Sequence, residues 1–174
     1  MSISEHEHIN SNRRYGNIAK LLHWGFVILF VYGVSKQVDE INELADITLL
    51  KFEVIFAAIF LFLLIIRFLY MKKNYESSLP DKTPKIQKIA AKAVHYGMYI
   101  CLAAIAGTGL MIGFLYWVGF KSGLLINTVV EIHSLSVSAI YWLISIHIIA
   151  AIYHRLLKDG VWNSMVPFWK ETGK

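Results

Sequence analysis

The sequence predicts an all-α integral membrane protein, a four-helix bundle with its N- and C-termini in the cytoplasm. Three observations predict it. Apolar residues make up 56% of the 174-residue chain and charged residues 17%, with a mean hydropathy of +0.52. A soluble domain averages roughly 25% charged residues, so this composition speaks against a water-soluble globule and against a disordered polar chain. Four apolar stretches each approach the ~20 residues that cross a ~30 Å hydrocarbon layer as a helix. The basic residues, finally, sort to one side of those stretches.

The first span runs from about Ile18 to Val38 around LLHWGFVILFVYGV, the second from about Ile47 to Tyr70 around FEVIFAAIFLFLLIIRFLY. The third, about Ala93 to Val118, reads HYGMYICLAAIAGTGLMIGFLYW, and the fourth, about Val129 to Leu157, reads IHSLSVSAIYWLISIHIIAAIYH. Lipid offers the backbone no hydrogen-bond partner, so runs of this length read as helices, and no period-2 alternation supports a barrel. The polar opening SEHEHINSNRRYGN lacks the marks of a signal peptide, so the first span is expected to be retained. The two prolines of SLPDKTP mark a turn between spans two and three rather than a fifth helix. Residues 1–174 thus read as one membrane domain.

Loops rich in Lys and Arg stay in the cytoplasm. Of the 17 basic residues, 14 precede span one (Arg13, Arg14) or lie at its start (Lys20), join spans two and three, or close and follow span four, which places both termini inside. The other side keeps Lys36, Lys51 and Lys121, beside Asp39, Glu40, Glu43 and Asp46. The inner lysines suit topology and attraction to anionic membrane lipid. The net charge of +5 does not point to nucleic acid, since the cations line no soluble face. Trp24, Trp117, Trp162 and Trp169 read as interfacial anchors, and Trp142, deeper in its span, as an inward-packing residue. Cys101 stands alone, which excludes a disulfide framework and any cysteine-built zinc or iron–sulfur site within one chain.

Seven histidines remain to be explained. His6 and His8 fall in the polar opening and read as solvated. His23, His95, His133, His147 and His154 fall in the spans, where ionisable groups are costly and usually face the bundle interior in a working role. One such residue reads as a hydrogen-bonded structural histidine; five need a common cause. His133 and His147 are 14 residues apart, about 40° short of four turns, and His154 follows 7 later, about 20° short of two, so all three share one helix face. At ~1.5 Å per residue the first two stand ~21 Å apart, the separation of two cofactors in opposite leaflets.

A histidine stripe in lipid serves either a proton path or haem iron. Haem needs axial ligands from two facing helices at matching depth. His23 lies three residues inside Lys20 and His147 seven inside His154, which makes them the best inner pair. Gly107, Gly109 and Gly113, with Ala103, Ala104 and Ala106, thin span three either for close helix contact or for a flat porphyrin.

The chain resembles the bacterial cytochrome b561 family, whose relatives include superoxide oxidases and the cytochrome b subunits of nickel hydrogenases and formate dehydrogenases. The resemblance rests on LLHW in span one, IIRFLY at the end of span two, HYGMYICLAAIAGTGLM in span three, and IHSLSVSAIYWLISIH followed by IYHRLLKD in span four. It covers about Tyr15 to Pro167. It implies one haem b held by His23 and His147, and a second held by His133 together with a histidine near the outer start of span two. Here that position, counted back from Arg67, is Glu53 in LLKFEVIF. Three arrangements follow: a weakly ligated or five-coordinate outer haem on His133, no outer haem with Glu53 hydrogen-bonded to His133, or Met111 as a substitute ligand. The resemblance also places a quinone at the cytoplasmic side. His95 and His154 are read there at similar depth, with Arg67, Lys92 and Arg155 as partners for haem propionates or as cations reaching for the interface.

The expected function is a b-type cytochrome of the bacterial inner membrane that carries electrons between a periplasmic-side donor and the quinone pool. One version is a superoxide:quinone oxidoreductase, for which the acidic outer loop gives poor steering of an anion. Another is an electron-transfer subunit of a larger complex, docking a redox partner protein. A haem-free protein using its histidines for protons or metal ions is the reading from another class.

Overall fold

A computed structural model describes residues 15–38, 40–74 and 78–171. His6, His8, Arg13, Arg14, Asp39 and Lys174 lie outside the described residues. Four long helices follow one another up and down: α1 (Asn17–Ser35), α2 (Ile47–Lys73), α3 (Lys85–Trp117) and α4 (Leu124–Leu157). A 3-10 turn, Ile41–Ala45, sits between α1 and α2, and a short α5, Val161–Met165, follows α4. All four long helices are long and apolar enough to cross a membrane. Their outward faces carry exposed Ile28, Phe62, Ile100, Leu135 and Leu156, as a lipid-facing surface requires.

Two spans begin earlier than their apolar stretches suggest. α3 starts at Lys85, eight residues before Ala93, because Pro84 sits at the helix start and the following lysines are good helix formers. α4 starts at Leu124, where Gly123 at φ 106° lets the chain leave the α3–α4 turn. That turn opens with Phe120 N–H on the Leu115 carbonyl and Gly119 N–H on Tyr116, a closure that uses Gly119 at φ 95°. α1, in contrast, ends at Ser35 rather than Val38. Asp46 caps α2 by accepting the Thr48 N–H at 2.7 Å. The SLPDKTP stretch is a turn, as its prolines predict, with Thr83 N–H bonded to the Pro80 carbonyl.

Extended backbone contact links α1 to α2, α2 to α3 and α3 to α4, while α5 touches both α1 and α4. Among the described residues, α1 and α4 share no such seam. The apolar core has two layers. Phe26, Phe60, Leu64, Leu102, Ala106 and Ile140, from all four helices, fill the middle. Leu44, Leu50, Ile112, Leu115, Tyr116 and Ile126 fill the outer end, the end away from the chain termini. Neither layer reaches the inner end, where α1 begins and α4 finishes.

Trp142 is 73% exposed, so it does not pack inside. It lies five residues from His147, about 140° around the helix, and therefore faces away from the histidine stripe. Met111 is also on the outside, 49% exposed.

Candidate functional site

All four long helices send a polar side chain to one level near the inner end. α1 supplies His23, α2 Arg67, α3 His95 and α4 His147. The His23 and His147 rings face each other at 6.4 Å between centres, with an interplanar angle of 63°. His95 also packs edge-on against His147, at 5.0 Å and 85°. Arg67 Nη2 donates to His23 Nδ1 at 2.7 Å, and its guanidinium lies 5.5 Å from the Phe26 ring centre and 5.6 Å from that of Tyr99. Its Nε is buried without a partner. His95 Nδ1–H donates to the Ala91 carbonyl at 2.6 Å, which leaves its Nε2 lone pair free.

The structure corrects one placement. His95 and His154 do not share a depth: His95 is level with His147, and His154 lies 7 residues further along α4, ~10 Å towards the end. The early start of α3 explains this, since His95 stands ten residues inside the helix rather than near its tip. His154 Nδ1–H instead donates to Asp159 Oδ2 at 2.6 Å and fastens the turn that leads into α5.

Beyond His154, residues 159–171 fold back across the inner end. Trp24 Nε1–H donates to the Met165 carbonyl at 3.2 Å, and Lys20 Nζ to the Asn163 carbonyl at 3.2 Å. Phe168 lies 5.2 Å from the Trp24 ring. Arg155 donates to the Trp169 carbonyl at 2.9 Å and sits over the rings of Trp162 and Trp169, so it is held by the C-terminal segment and turned from the histidine level. Trp24, Trp162 and Trp169 are thus clamps of this cap as well as aromatic residues near a boundary.

The outer level is built differently. His133 Nδ1–H donates to Thr108 Oγ1 at 2.9 Å, and that hydroxyl donates in turn to the Ala104 carbonyl. A Cβ on Gly109 would lie 3.7 Å from His133 Cε1 and 3.9 Å from the Ala57 Cβ, so the imidazole occupies the junction of α2, α3 and α4. Gly113 serves close helix contact: a Cβ there would meet Val54 Cγ2 at 2.4 Å. Gly107 has open space, so it does not serve close helix contact. Glu53 lines a small cleft with Tyr32, Gly33, Lys36, Phe52 and Phe56, and its Oε1 is buried without a partner. No hydrogen bond joins Glu53 to His133 among the described residues, so of the three alternatives the polar pair is not formed. Thr108 was not anticipated as the partner of His133; the hydroxyl among the glycines and alanines of AIAGTG was the available signal.

The inner pair can be tested against a metal-centred group. Two imidazoles on one metal stand with ring centres about 6 Å apart, from metal–nitrogen bonds of roughly 2.0–2.1 Å and about 1 Å more to each ring centre. The observed 6.4 Å fits. Arg67 is the adjustable part. An arginine only donates, so in its present position His23 carries its proton on Nε2. Whichever nitrogen of His23 takes the metal, the guanidinium must first leave Nδ1.

A family model described as prokaryotic cytochrome b561 matches residues 14–168. The chain belongs to the prokaryotic cytochrome b561 family. No curated protein matches it, and no solved structure does. Membership makes it a membrane b-type cytochrome of electron transfer and implies that it binds b-type haem.

Proposed function

We propose that His23 and His147 hold a haem b between α1 and α4 and that the chain passes single electrons between a redox donor and the membrane quinone pool. The observation that carries this reading is the facing of these two rings at 6.4 Å from helices that share no close seam. Bound there, the haem supplies one-electron oxidation and reduction; the protein supplies ligation, orientation and electrostatics.

The residues divide the work. His23 and His147 grip the iron as neutral imidazoles. Arg67, released from His23, is the cation that faces a propionate or balances the charge of the site. His95 offers an unoccupied Nε2 at the same level, suited to accept a proton from a quinol hydroxyl. The cap of residues 159–171 covers the end between α1 and α4 and leaves the lipid-facing side as the route for an apolar quinone. His154, tied to Asp159, supports the cap rather than the quinone. The proposed membrane is the bacterial inner membrane, and the distribution of basic residues supports an orientation with both termini cytoplasmic. A donor on the periplasmic side requires a second redox centre at the outer level.

Purified full-length protein tests this. The expected result is a low-spin b-type spectrum that ubiquinol or menaquinol reduces. Absence of a Soret band after expression in haem-sufficient cells would overturn the haem reading. A haem that quinols leave oxidised while dithionite reduces it would overturn the quinone reading.

A further inference from the structure

We infer that this chain holds one haem, at the inner level, and that its outer level is a haem-free polar core. The inference rests on the haem reading above. It departs from the two-haem arrangement expected of the family, and residues at the outer level carry it.

The outer half lacks a second imidazole. Of the histidines in the spans, only His133 lies there, and the two connections at that end, residues 36–46 and 118–123, contain none. Cys101 lies near mid-span, and Met111 faces outward. The position that should supply the second ligand is Glu53, whose side chain enters the α1–α2 seam beside Tyr32, Gly33 and Lys36. His133 enters a different seam, against Thr108, Gly109 and Ala57. The two groups therefore do not converge on a common point in the way His23 and His147 do.

His133 is anchored to α3 rather than to Glu53. Its Nδ1–H goes to Thr108, whose own proton goes to Ala104. The surrounding contacts are tight. A Cβ at Gly33 would lie 2.9 Å from the Phe56 ring, and one at Gly113 2.4 Å from Val54. The close approach is confined to these two points, since a groove of about 280 Å³ runs between α2 and α3 along Leu50, Val54, Leu110 and Gly113.

One consequence concerns the path of electrons. His133 and His147 are separated by ~21 Å along α4, and without an outer centre that distance holds no redox group. Both donor and quinone must then reach the cytochrome at its inner end, or the donor must bring its own centre into the bilayer beside α1 and α4.

Haem stoichiometry by pyridine haemochrome on the purified full chain decides the matter. The expected value is one haem per polypeptide, unchanged in His133→Ala and His133→Gln and lost in His147→Ala. Two haems per wild-type polypeptide would overturn the inference, and so would loss of haem in His133→Gln with His147 intact. The wild-type value stands even if a variant misfolds. No haem at all would defeat the cytochrome reading and this inference with it, a result distinct from finding two.

Discussion

The inner and outer ends of this bundle use the same helical step for opposite ends. On α2, Arg67 lies 14 residues from Glu53; on α3, His95 lies 14 from Gly109; on α4, His147 lies 14 from His133. Four turns thus carry each inner residue to an outer counterpart on nearly the same face. At the inner level the step delivers a guanidinium and two imidazoles, met by His23 from α1, with Phe26 and Tyr99 against the guanidinium. At the outer level it delivers a carboxylate, a glycine and one imidazole, inward of the apolar layer of Leu50, Ile112, Leu115 and Ile126. The comparison teaches that equivalent positions in a bundle become a ligand site or a packed core according to how many donors converge and how closely the backbones approach.

The largest expected effect breaks the inner side of the comparison. His147→Ala should remove nearly all bound haem, read as haem per polypeptide and as loss of the low-spin spectrum. A retained six-coordinate spectrum would show that the facing rings are not the ligands.

Arg67→Gln probes the same level without replacing a ligand, although it removes the donor to His23 Nδ1. A nearby cation favours the reduced iron, so its removal should lower the midpoint potential by tens of millivolts; about 59 mV corresponds to a tenfold change for one electron. Redox titration of the purified variant checks this, and haem content should stay near that of the wild type. An unchanged potential would place Arg67 outside the field of the haem.

Gly113→Ala tests the tightness of the outer level. A methyl 2.4 Å from Val54 Cγ2 requires the Val54 side chain or its helix to shift, and overpacking of this kind costs about 1–3 kcal/mol. Thermal unfolding in detergent should show the loss, and Val54→Ala should restore part of it if the clash is the cause. Thr108→Val at the same level removes the acceptor of His133 Nδ1–H. An unsatisfied buried donor costs about 1–3 kcal/mol, so stability should fall while haem content holds.

The smallest effect is expected at the cap. Trp24→Phe keeps an aromatic ring against Phe168 and deletes one hydrogen bond to the Met165 carbonyl. A typical hydrogen bond contributes about 0.5–1.5 kcal/mol net. Limited proteolysis should cut residues 159–171 faster, with the spectrum unaltered.

Much of this was legible in the chain itself. Apolar run length announced four helices, because a membrane-spanning backbone has few ways to satisfy its hydrogen bonds. Helical periodicity put His133, His147 and His154 on one face of α4, and depth matching paired His147 with His23. Helix ends were less legible. Lys85 to Lys92 look like loop by charge, yet they continue α3, and that extension moved His95 from the end of its helix to the level of His147. The cap also escaped notice, since WNSM and FW carry no periodic signal over so short a length and are held by contacts to residues more than 140 positions away.

Composition, run length and the spacing of histidines along single helices therefore determined that this protein is a helical membrane bundle with an imidazole stripe, because those properties depend only on neighbours along one chain segment. Which seam each polar side chain enters was decided by tertiary structure alone. Arg67 rests on His23, Thr108 takes the His133 proton, and Glu53 turns into the α1–α2 cleft, because rotation and approach of whole helices, set by glycines meeting Val54 and Phe56, fix what each group can reach.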